Sequence, residues 1–550
     1  MAKWQESIEN EETSLWKMYQ NGINYQIKLG IRHNIPKFID FYEGRQWPLP
    51  TEHTKNLPRP VINIVKMICR SKKSSILSTP VKIVYNSYSP NTDTEKLNSF
   101  LKSILSELGQ EELDRQAIDD GIKKGSYFYH YYWDKDARDL NGRKEGGLRC
   151  EIIDPLNIFF SNPCETNEQK QEWILIATHT DPRTVMSIVD DGLQRLDLTE
   201  NSEENEESAD KITLLTRYFK QNGEIWCERA TKYNVINKPF CLCPCADDME
   251  SNSLDEEKSY EDEPRASLFP IVCGFYERRE GSIYGISEVE GIIPNQKAIN
   301  FNVAMSLLNA QQCAWGKYIA LPNALKGQKI TNSPGQVLID HSGTGEGIKR
   351  MAEVGLSQAP MDITNAITDL TKLTAGANDL LSSENLSMNM SGVAIAQLQA
   401  QAEVPIEELR ANLWGVKKKQ GAVIAQFIRL YYFEREFIRT IKDENGCECE
   451  ICDKFSSSDY KSSIFDISVE AVKGTRASIA SDINMLNSCL QSGKISLETY
   501  IRAYPEGALS NKSAILKQIE EEKQEEIYKL RKELEMYKNR KTVDPVSIIQ

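Results

Sequence analysis

Six cysteines in two tight groups have the spacing most open to chemistry: Cys241, Cys243 and Cys245 in "CLCPC", and Cys447, Cys449 and Cys452 in "CECEIC". Zinc sites use cysteines spaced by two to four residues, completed by a second pair or by histidines. Only Cys449 and Cys452 have that spacing, and none of the five histidines stands near either group. Cys-x-Cys also sets small, buriable side chains on one face of a strand, whose period is two. Strand or turn packing is therefore favoured over metal, and neither metal nor cofactor is expected. "HSGTGEG" (His341 to Gly347) is glycine-rich, but no helix follows to offer an anion its N-terminus, so it reads as a turn. No G-x-x-x-x-G-K-[ST], H-E-x-x-H, G-x-S-x-G or kinase signature occurs. Carboxylates suffice in number for a metal-dependent nuclease, but no pattern assembles them. The sequence predicts a protein that is not an enzyme.

Charge and composition narrow the class. The 550 residues are 40% hydrophobic and 27% charged, enough apolar material for several buried cores. No apolar run approaches the roughly 18 residues of a membrane span. The opening "MAKWQESIENEETSLWKMYQ" is charged and amphipathic, unlike a secretory signal, so a cytoplasmic location is expected. A formal net charge of -14 argues against gripping nucleic acid by phosphate neutralisation. It leaves open DNA that is touched without being held. Lys417, Lys418 and Lys419 cover most of a helical turn and read as a solvated face rather than a DNA contact.

The elements that would position such residues follow a definite order. Residues 1–40 read as helical and "FYEGRQWP" as a loop. "RPVINIVKMICRSKKSSIL" is helix-like, and "VKIVY" is a strand. One helix is predicted over 94–124, with Phe100, Leu101, Ile104, Leu105 and Leu108 on one face. "SYFYHYYWD" and "LRCEIIDP", joined by a polar turn with Asn-Gly, predict a hairpin. Residues 201–210 and 247–265 are acidic and read as solvated loops. A long helix is expected from Gly285, a β-rich insertion over about 317–356, a helix over about 360–381, and a long helix from Val393 to about Arg439. Pro405 removes one of that last helix's hydrogen bonds and should bend it. A strand at "IFDISVEAV" and a helical C-terminus close the chain.

Several phrases, in this order, resemble the portal proteins of tailed bacteriophages: "FYEGRQWP" with "RPVINIVKMI", "EIIDPLNIFFSNP" (Glu151 to Pro163), "LFPIV" leading to "YGISEVEGIIPNQKAIN" (Tyr284 to Asn300), and "SGVAIAQLQAQAE" (Ser391 to Glu403). The resemblance implies a mainly helical α+β fold with wing, stem, clip and crown, assembled as a ring of usually twelve subunits at one capsid vertex. An N-terminal helical segment (1–40) would precede the wing (40–285). A stem helix (286–316), the clip (317–359) and a second stem helix (360–381) would follow. A tunnel loop (382–392), the kinked wing helix with a strand (393–475) and the crown (476–550) would complete it. The implied partners are further copies of the chain, double-stranded DNA passing without sequence preference, terminase, the head-tail adaptor, and the major capsid and scaffolding proteins, with no membrane. The implied location is the virion, and the host cytoplasm during assembly.

The resemblance also assigns residues. Ser383, Glu384, Asn385, Ser387, Met388, Asn389 and Met390 would face the DNA from the tunnel loop, and Pro405 would kink the helix that carries it. Lys326, Lys329, His341, Lys349 and Arg350 would meet terminase or adaptor from the clip. The loop residues are small, polar or flexible, and Glu384 is their only charge. Two other readings remain open from the residues alone: another oligomeric capsid or scaffolding protein, and a DNA-processing nuclease.

Overall fold

A computed structural model of the chain describes residues 12–504 apart from 53, 56, 88–92, 139–143, 182, 184, 186–210, 244–264, 315–317, 323, 332–335, 344–345, 351–358, 377–391, 443–447, 461–464 and 472–475. Beyond 504 it describes only 515, 518–519, 527–534 and 536. Two units are distinguished: Met1–Leu77 with Ile83–Arg435 and Lys454–Ser468, and Ser78–Lys82 with Glu436–Asp453 and Val469–Gln550.

The first unit opens with α1 (Ser14–Lys28) and α2 (Ile31–Glu43), which meet at Gly30 in the left-handed region, φ 75°. Then come α3 (Ile64–Leu77) and β1 (Val81–Ser87). The single helix expected over 94–124 is two, α4 (Thr94–Glu107) and α5 (Gln110–Lys124). Gly109 separates them at φ 62°, a conformation that glycine adopts without steric cost and that ends a right-handed helix. The predicted hairpin forms from β2 (Ser126–Asp134) and β3 (Gly147–Ile153), with Phe128 opposite Ile153 and Tyr131 opposite Cys150.

Five strands not foreseen in the sequence build a second sheet: β4 (Ile158–Phe160), β5 (Trp173–Thr180), β6 (Ile212–Gln221), β7 (Glu224–Ala230) and β8 (Val235–Cys241). They run antiparallel in chain order. β9 (Ile271–Phe275) adds to the far edge of β2, giving the order β3-β2-β9. Phe128, Ile153, Phe160, Ile174, Tyr218 and Phe269 form one buried cluster drawn from both sheets. His130 of β2 joins it with polar bonds, its Nδ1 2.8 Å from Glu151 and its Nε2 2.8 Å from the Tyr218 hydroxyl. The hydrogen bond from His130 holds the Glu151 carboxyl below its ordinary range. Leu15 and Tyr19 of α1 pack on the outer face against Phe159, Leu175 and Leu215.

Next come α6 (Glu288–Ala314), β10 (Tyr318–Ala320), β11 (Ile348–Arg350), α7 (Ala359–Thr374) and α8 (Gly392–Tyr431). A helical core collects Phe38, Val65, Ile68, Ile122, Val289, Ile292, Ile406 and Leu413, so α2, α3, α5, α6 and α8 share one apolar interior. The long helix was expected to reach Arg439 but stops at Tyr431. The next stretch, "EREFIRTIK", alternates at the strand period and forms β12 (Glu434–Lys442), paired with β13 (Glu448–Ser456). β14 (Phe465–Ala471) pairs with β1. The second unit includes α9 (Arg476–Gln491) and α10 (Leu497–Ala503), in keeping with the helical C-terminus foreseen. Among the described residues no helix is long and apolar enough to cross a membrane.

The approach to α6 is a tight crossing of chain. A Cβ at Gly285 would lie 2.4 Å from the Gly125 carbonyl oxygen and 2.7 Å from that of Glu277, and backbone cannot yield as a side-chain tip can. Gly291, one turn into α6, has open space around it. Gly285→Ala is therefore expected to lower stability by about 1–3 kcal/mol. Gly291→Ala should raise it by roughly 0.5–1 kcal/mol through helix propensity. Denaturant midpoints at an unchanged slope would check both; two shifts of the same sign would contradict the packing described.

Candidate functional site

The candidate site is the run from α6 to α8, in which two packed helices bracket an insertion and a third, longer helix follows. The α6 phrase "PNQKAIN" is polar for structural reasons. Asn295 donates to the Thr371 hydroxyl at 3.0 Å, tying the start of α6 to the end of α7. The two helices therefore run out and back, and the intervening insertion lies at their far end. Gln296, fully buried, accepts from the amides of Ile64 (2.9 Å) and Val65 (3.3 Å) and donates to the Ile62 carbonyl (2.7 Å). It caps the free N–H groups of α3 from outside that helix. Asn300 extends the ladder by donating to Gln46 at 2.6 Å. Ser287 donates to the Ile122 carbonyl at 2.9 Å, satisfying the end of α5 at the point where α6 begins.

α7 carries a row of threonines whose hydroxyls donate to the carbonyls four residues earlier, from Thr364 to Pro360 (2.7 Å) and on through Thr368, Thr371 and Thr374. These groups are satisfied within the helix and leave its apolar side chains free. Met361, Ile363, Leu370 and Leu373 are exposed on α7, as are Phe301, Met305 and Leu307 on α6.

α8 has 40 residues, about 60 Å of helix, and its second half is held from several sides. The sequence presents Lys417, Lys418 and Lys419 as one solvated face; the structure divides them. Lys417 is buried and ion-paired with Asp114, whose carboxylate also accepts from the Tyr129 hydroxyl (2.8 Å) and Gln110 (2.9 Å). Lys419 pairs at 2.8 Å with Glu168, itself almost fully buried. Lys418 alone is exposed. Both carboxylates are hundreds of residues away in sequence, so no local pattern reveals them. Further along, Gln426 accepts from the amides of Ser267 (2.9 Å) and Leu268 (2.8 Å), and the Tyr85 hydroxyl donates to the Gly421 carbonyl (2.8 Å). Both polar atoms of Gln420 are buried without a hydrogen-bond partner.

Ser383, Glu384, Asn385, Ser387, Met388, Asn389 and Met390 lie outside the described residues, as do the acidic stretches 201–210 and 247–264. Pro405 falls within α8, which is helical through that position. In the insertion, β10 pairs antiparallel with β11, placing Tyr318 opposite Arg350. Lys326, Lys329, His341 and Lys349 are exposed. Lys326 adopts φ 36°, the His341 amide donates to Ala324 (3.0 Å), and Lys349 pairs with Glu346 (2.6 Å).

"HSGTGEG" leads into β11, not into a helix, and Asp340, the residue just before it, gathers its backbone. That carboxylate is kept below the ordinary range by the Ser342 hydroxyl, with the amides of Ser342 (2.8 Å) and Gly347 (2.9 Å) adding to the effect. A Cβ at Gly347 would meet Asp340 at 2.3 Å, which explains glycine there. The exposed apolar residues of this insertion, Ile319, Leu321, Val337 and Ile339, stand beside its cations and were not foreseen. Their clustering in "YIAL" and "QVLI", beside so few other apolar residues, was the available signal. As for the cysteines, Cys241 ends β8 and Cys452 lies in β13, while Cys245 and Cys447 are outside the described residues. Burial, then the neighbouring Cys243 and Glu224, push the Cys241 thiol up to about 12. Among the described residues no group of three His, Cys, Asp or Glu side chains is arranged to hold a metal ion.

Residues 250–451 match the family described as phage P22-like portal protein, a segment running from before β9 through α6, the insertion, α7 and α8 into β13. Two solved structures also align with the chain: the neck of a native GTA particle computed with C12 symmetry and the neck of an empty GTA particle computed with C6 symmetry. Each is 10% identical, covers 79% of this chain and 86% of that chain, and has a TM-score of 0.34. No curated protein matches in sequence.

The Lys417–Asp114 pair has a testable energetic consequence. Lys417→Met would leave the half-buried Asp114 carboxylate without its cation, at a cost of about 3–5 kcal/mol. Adding Asp114→Asn should return part of that loss, since the orphaned charge is gone while Tyr129 keeps an acceptor. Chemical denaturation of the single and double variants decides it: a double variant no more stable than Lys417→Met would refute the coupling.

Proposed function

We propose that this chain, similar over residues 250–451 to P22-like portal proteins, is the subunit of a portal ring at one capsid vertex, through which double-stranded DNA is packaged and ejected. The role is structural rather than enzymatic. The observation that carries the reading is that match, because the matched segment contains in sequence the two packed helices, the insertion at their far end and the long anchored helix. In this reading α6 and α7 are the stem, and their exposed Phe301, Met305, Leu370 and Leu373 meet neighbouring copies in a ring, twelve subunits being usual for such proteins. Residues 317–359 form the clip and face terminase and then the head-tail adaptor. Residues 382–392 form the tunnel loop, carried inward by α8.

The charge of the chain fits this role. A conduit must let a polyanion slide, and a net charge of -14 with few clustered cations keeps phosphate binding weak. Anchoring of Lys417 and Lys419 to Asp114 and Glu168 removes two cations that would otherwise be free to hold DNA.

Two outcomes test the reading. Replacing Asn385, Met388 and Asn389 together with lysine should leave ring assembly intact and slow DNA translocation, with the defect relieved as salt screens the added attraction. Packaged DNA length in procapsids over a salt series measures this; normal packaging at low salt would show that the segment does not face DNA. Deleting residues 325–350 should leave a folded protein, because the Asn295–Thr371 contact and the helical core lie outside the deletion. It should also abolish capture of terminase and adaptor in pull-down, and retained capture of both would move the docking site elsewhere.

A further inference from the structure

In a chain whose formal net charge is -14, α3 (IVKMICRSKKSSIL) carries four cations, Lys66, Arg70, Lys72 and Lys73, and no carboxylate. Lys66, Arg70 and Lys73 stand at i, i+4 and i+7, so they form one row along a single face, about 10 Å from end to end. Arg70 is exposed, Lys66 and Lys73 are half-buried, and Lys72 is buried. α5 lays a further lysine beside the row. The Nζ of Lys66 lies 5.6 Å, and that of Lys123 4.1 Å, from the centre of the same Tyr42 ring, so one aromatic face gathers two ammonium groups.

Few carboxylates face the row. Asp119 of α5 pairs with both Lys73 (3.2 Å) and Lys123. Burial works against its charge, but hydrogen bonds from Lys123 and Lys73 hold its carboxyl below the ordinary range. Glu288, at the start of α6, accepts from the Tyr276 hydroxyl (2.8 Å), and Glu43 is taken by Arg45. With Asp119 and Glu288 both counted, four cations (Lys66, Arg70, Lys73 and Lys123) meet two carboxylates, a surplus of two positive charges. Neither Lys66 nor Arg70 has a carboxylate at ion-pair distance among the described residues. On α8, by contrast, Asp114 and Glu168 neutralise Lys417 and Lys419.

Like charges four residues apart on a helix repel one another, and an anion lying along the row removes that cost. The row offers charge on a convex helix ridge rather than a groove that would grip the side chains of a peptide. A phosphodiester backbone needs no more than cations in its path, and the planar guanidinium of Arg70 suits a phosphate in particular. We infer that the Lys66, Arg70 and Lys73 face of α3, with Lys123 beside it, binds the phosphate backbone of double-stranded DNA without sequence preference, in addition to the proposed contact at residues 382–392. The inference rests on the proposed encounter of this chain with DNA and adds to it a surface that holds the duplex.

The test uses the full chain and a fluorescent mixed-sequence duplex, with anisotropy read over a salt series. Lys66→Gln with Arg70→Gln should weaken binding about tenfold or more at low salt. It should also reduce the slope of log affinity against log salt by at least about 1.8, two phosphate contacts at roughly 0.9 each. Lys66→Arg with Arg70→Lys should keep both near the parent values, as should Lys418→Gln, which removes an exposed cation from α8. Melting of the α3 variants should stay close to the parent's, because neither side chain is ion-paired. A parent chain that leaves the duplex unbound at low salt, an unchanged slope in the double variant, or an equal loss in Lys418→Gln overturns the inference. So does a double variant that loses affinity for poly-glutamate while keeping it for the duplex, which would make the partner an acidic polypeptide. Binding through this row by a chain that sediments as a monomer at every concentration would overturn the ring and leave the inference standing.

Discussion

The buried ion pair between Lys417 and Asp114 is the constraint on which the rest of the first unit depends. A lysine with almost no access to water can stand only where a carboxylate meets it and where that carboxylate has its other oxygen bonds filled. Tyr129 and Gln110 fill them, so α5, β2 and α8 must all be in register before the charge is satisfied. Lys419 repeats the demand toward Glu168 two residues later. Such pairs contribute little net stability compared with apolar packing, but they tolerate few alternative arrangements. The second half of α8 is accordingly fixed in azimuth as well as position.

A second set of polar bonds fixes the out-and-back pair. Asn295 locks α6 to α7, while Gln296 and Asn300, on the same helix, lock the chain before α3. Residues that looked in the sequence like an unremarkable polar phrase are therefore the joints between elements. The insertion at the far end has very little core; Ala324 is fully buried, and Asp340 gathers the backbone around itself. A segment organised by one carboxylate, with exposed apolar side chains, is suited to completing itself against a partner.

How much was legible in advance follows from the range of each interaction. The β2–β3 hairpin was, because alternating aromatics and an Asn-Gly turn are local signals. So were α6, α7 and the turn at "HSGTGEG". The break at Gly109 was missed because the apolar pattern of α4 runs up to it and continues into α5, and only the left-handed backbone ends the helix. The five-stranded sheet was missed because the stretch between β5 and β6, acidic over 201–210, interrupts the run of strands. Lys417 was misassigned because its partner stands 303 residues away. Of the candidate residues in the insertion, Lys326, Lys329, His341 and Lys349 are exposed, and the apolar residues beside them were overlooked.

The central claim is that copies of this chain close into a ring with an open axis, and the most direct measurement is electron microscopy of the purified full-length protein with class averages viewed down the axis. The account predicts closed rings of uniform subunit number around a central hole wide enough for a DNA duplex. Isolated monomers, two-fold dimers or closed shells without an axial opening would contradict it.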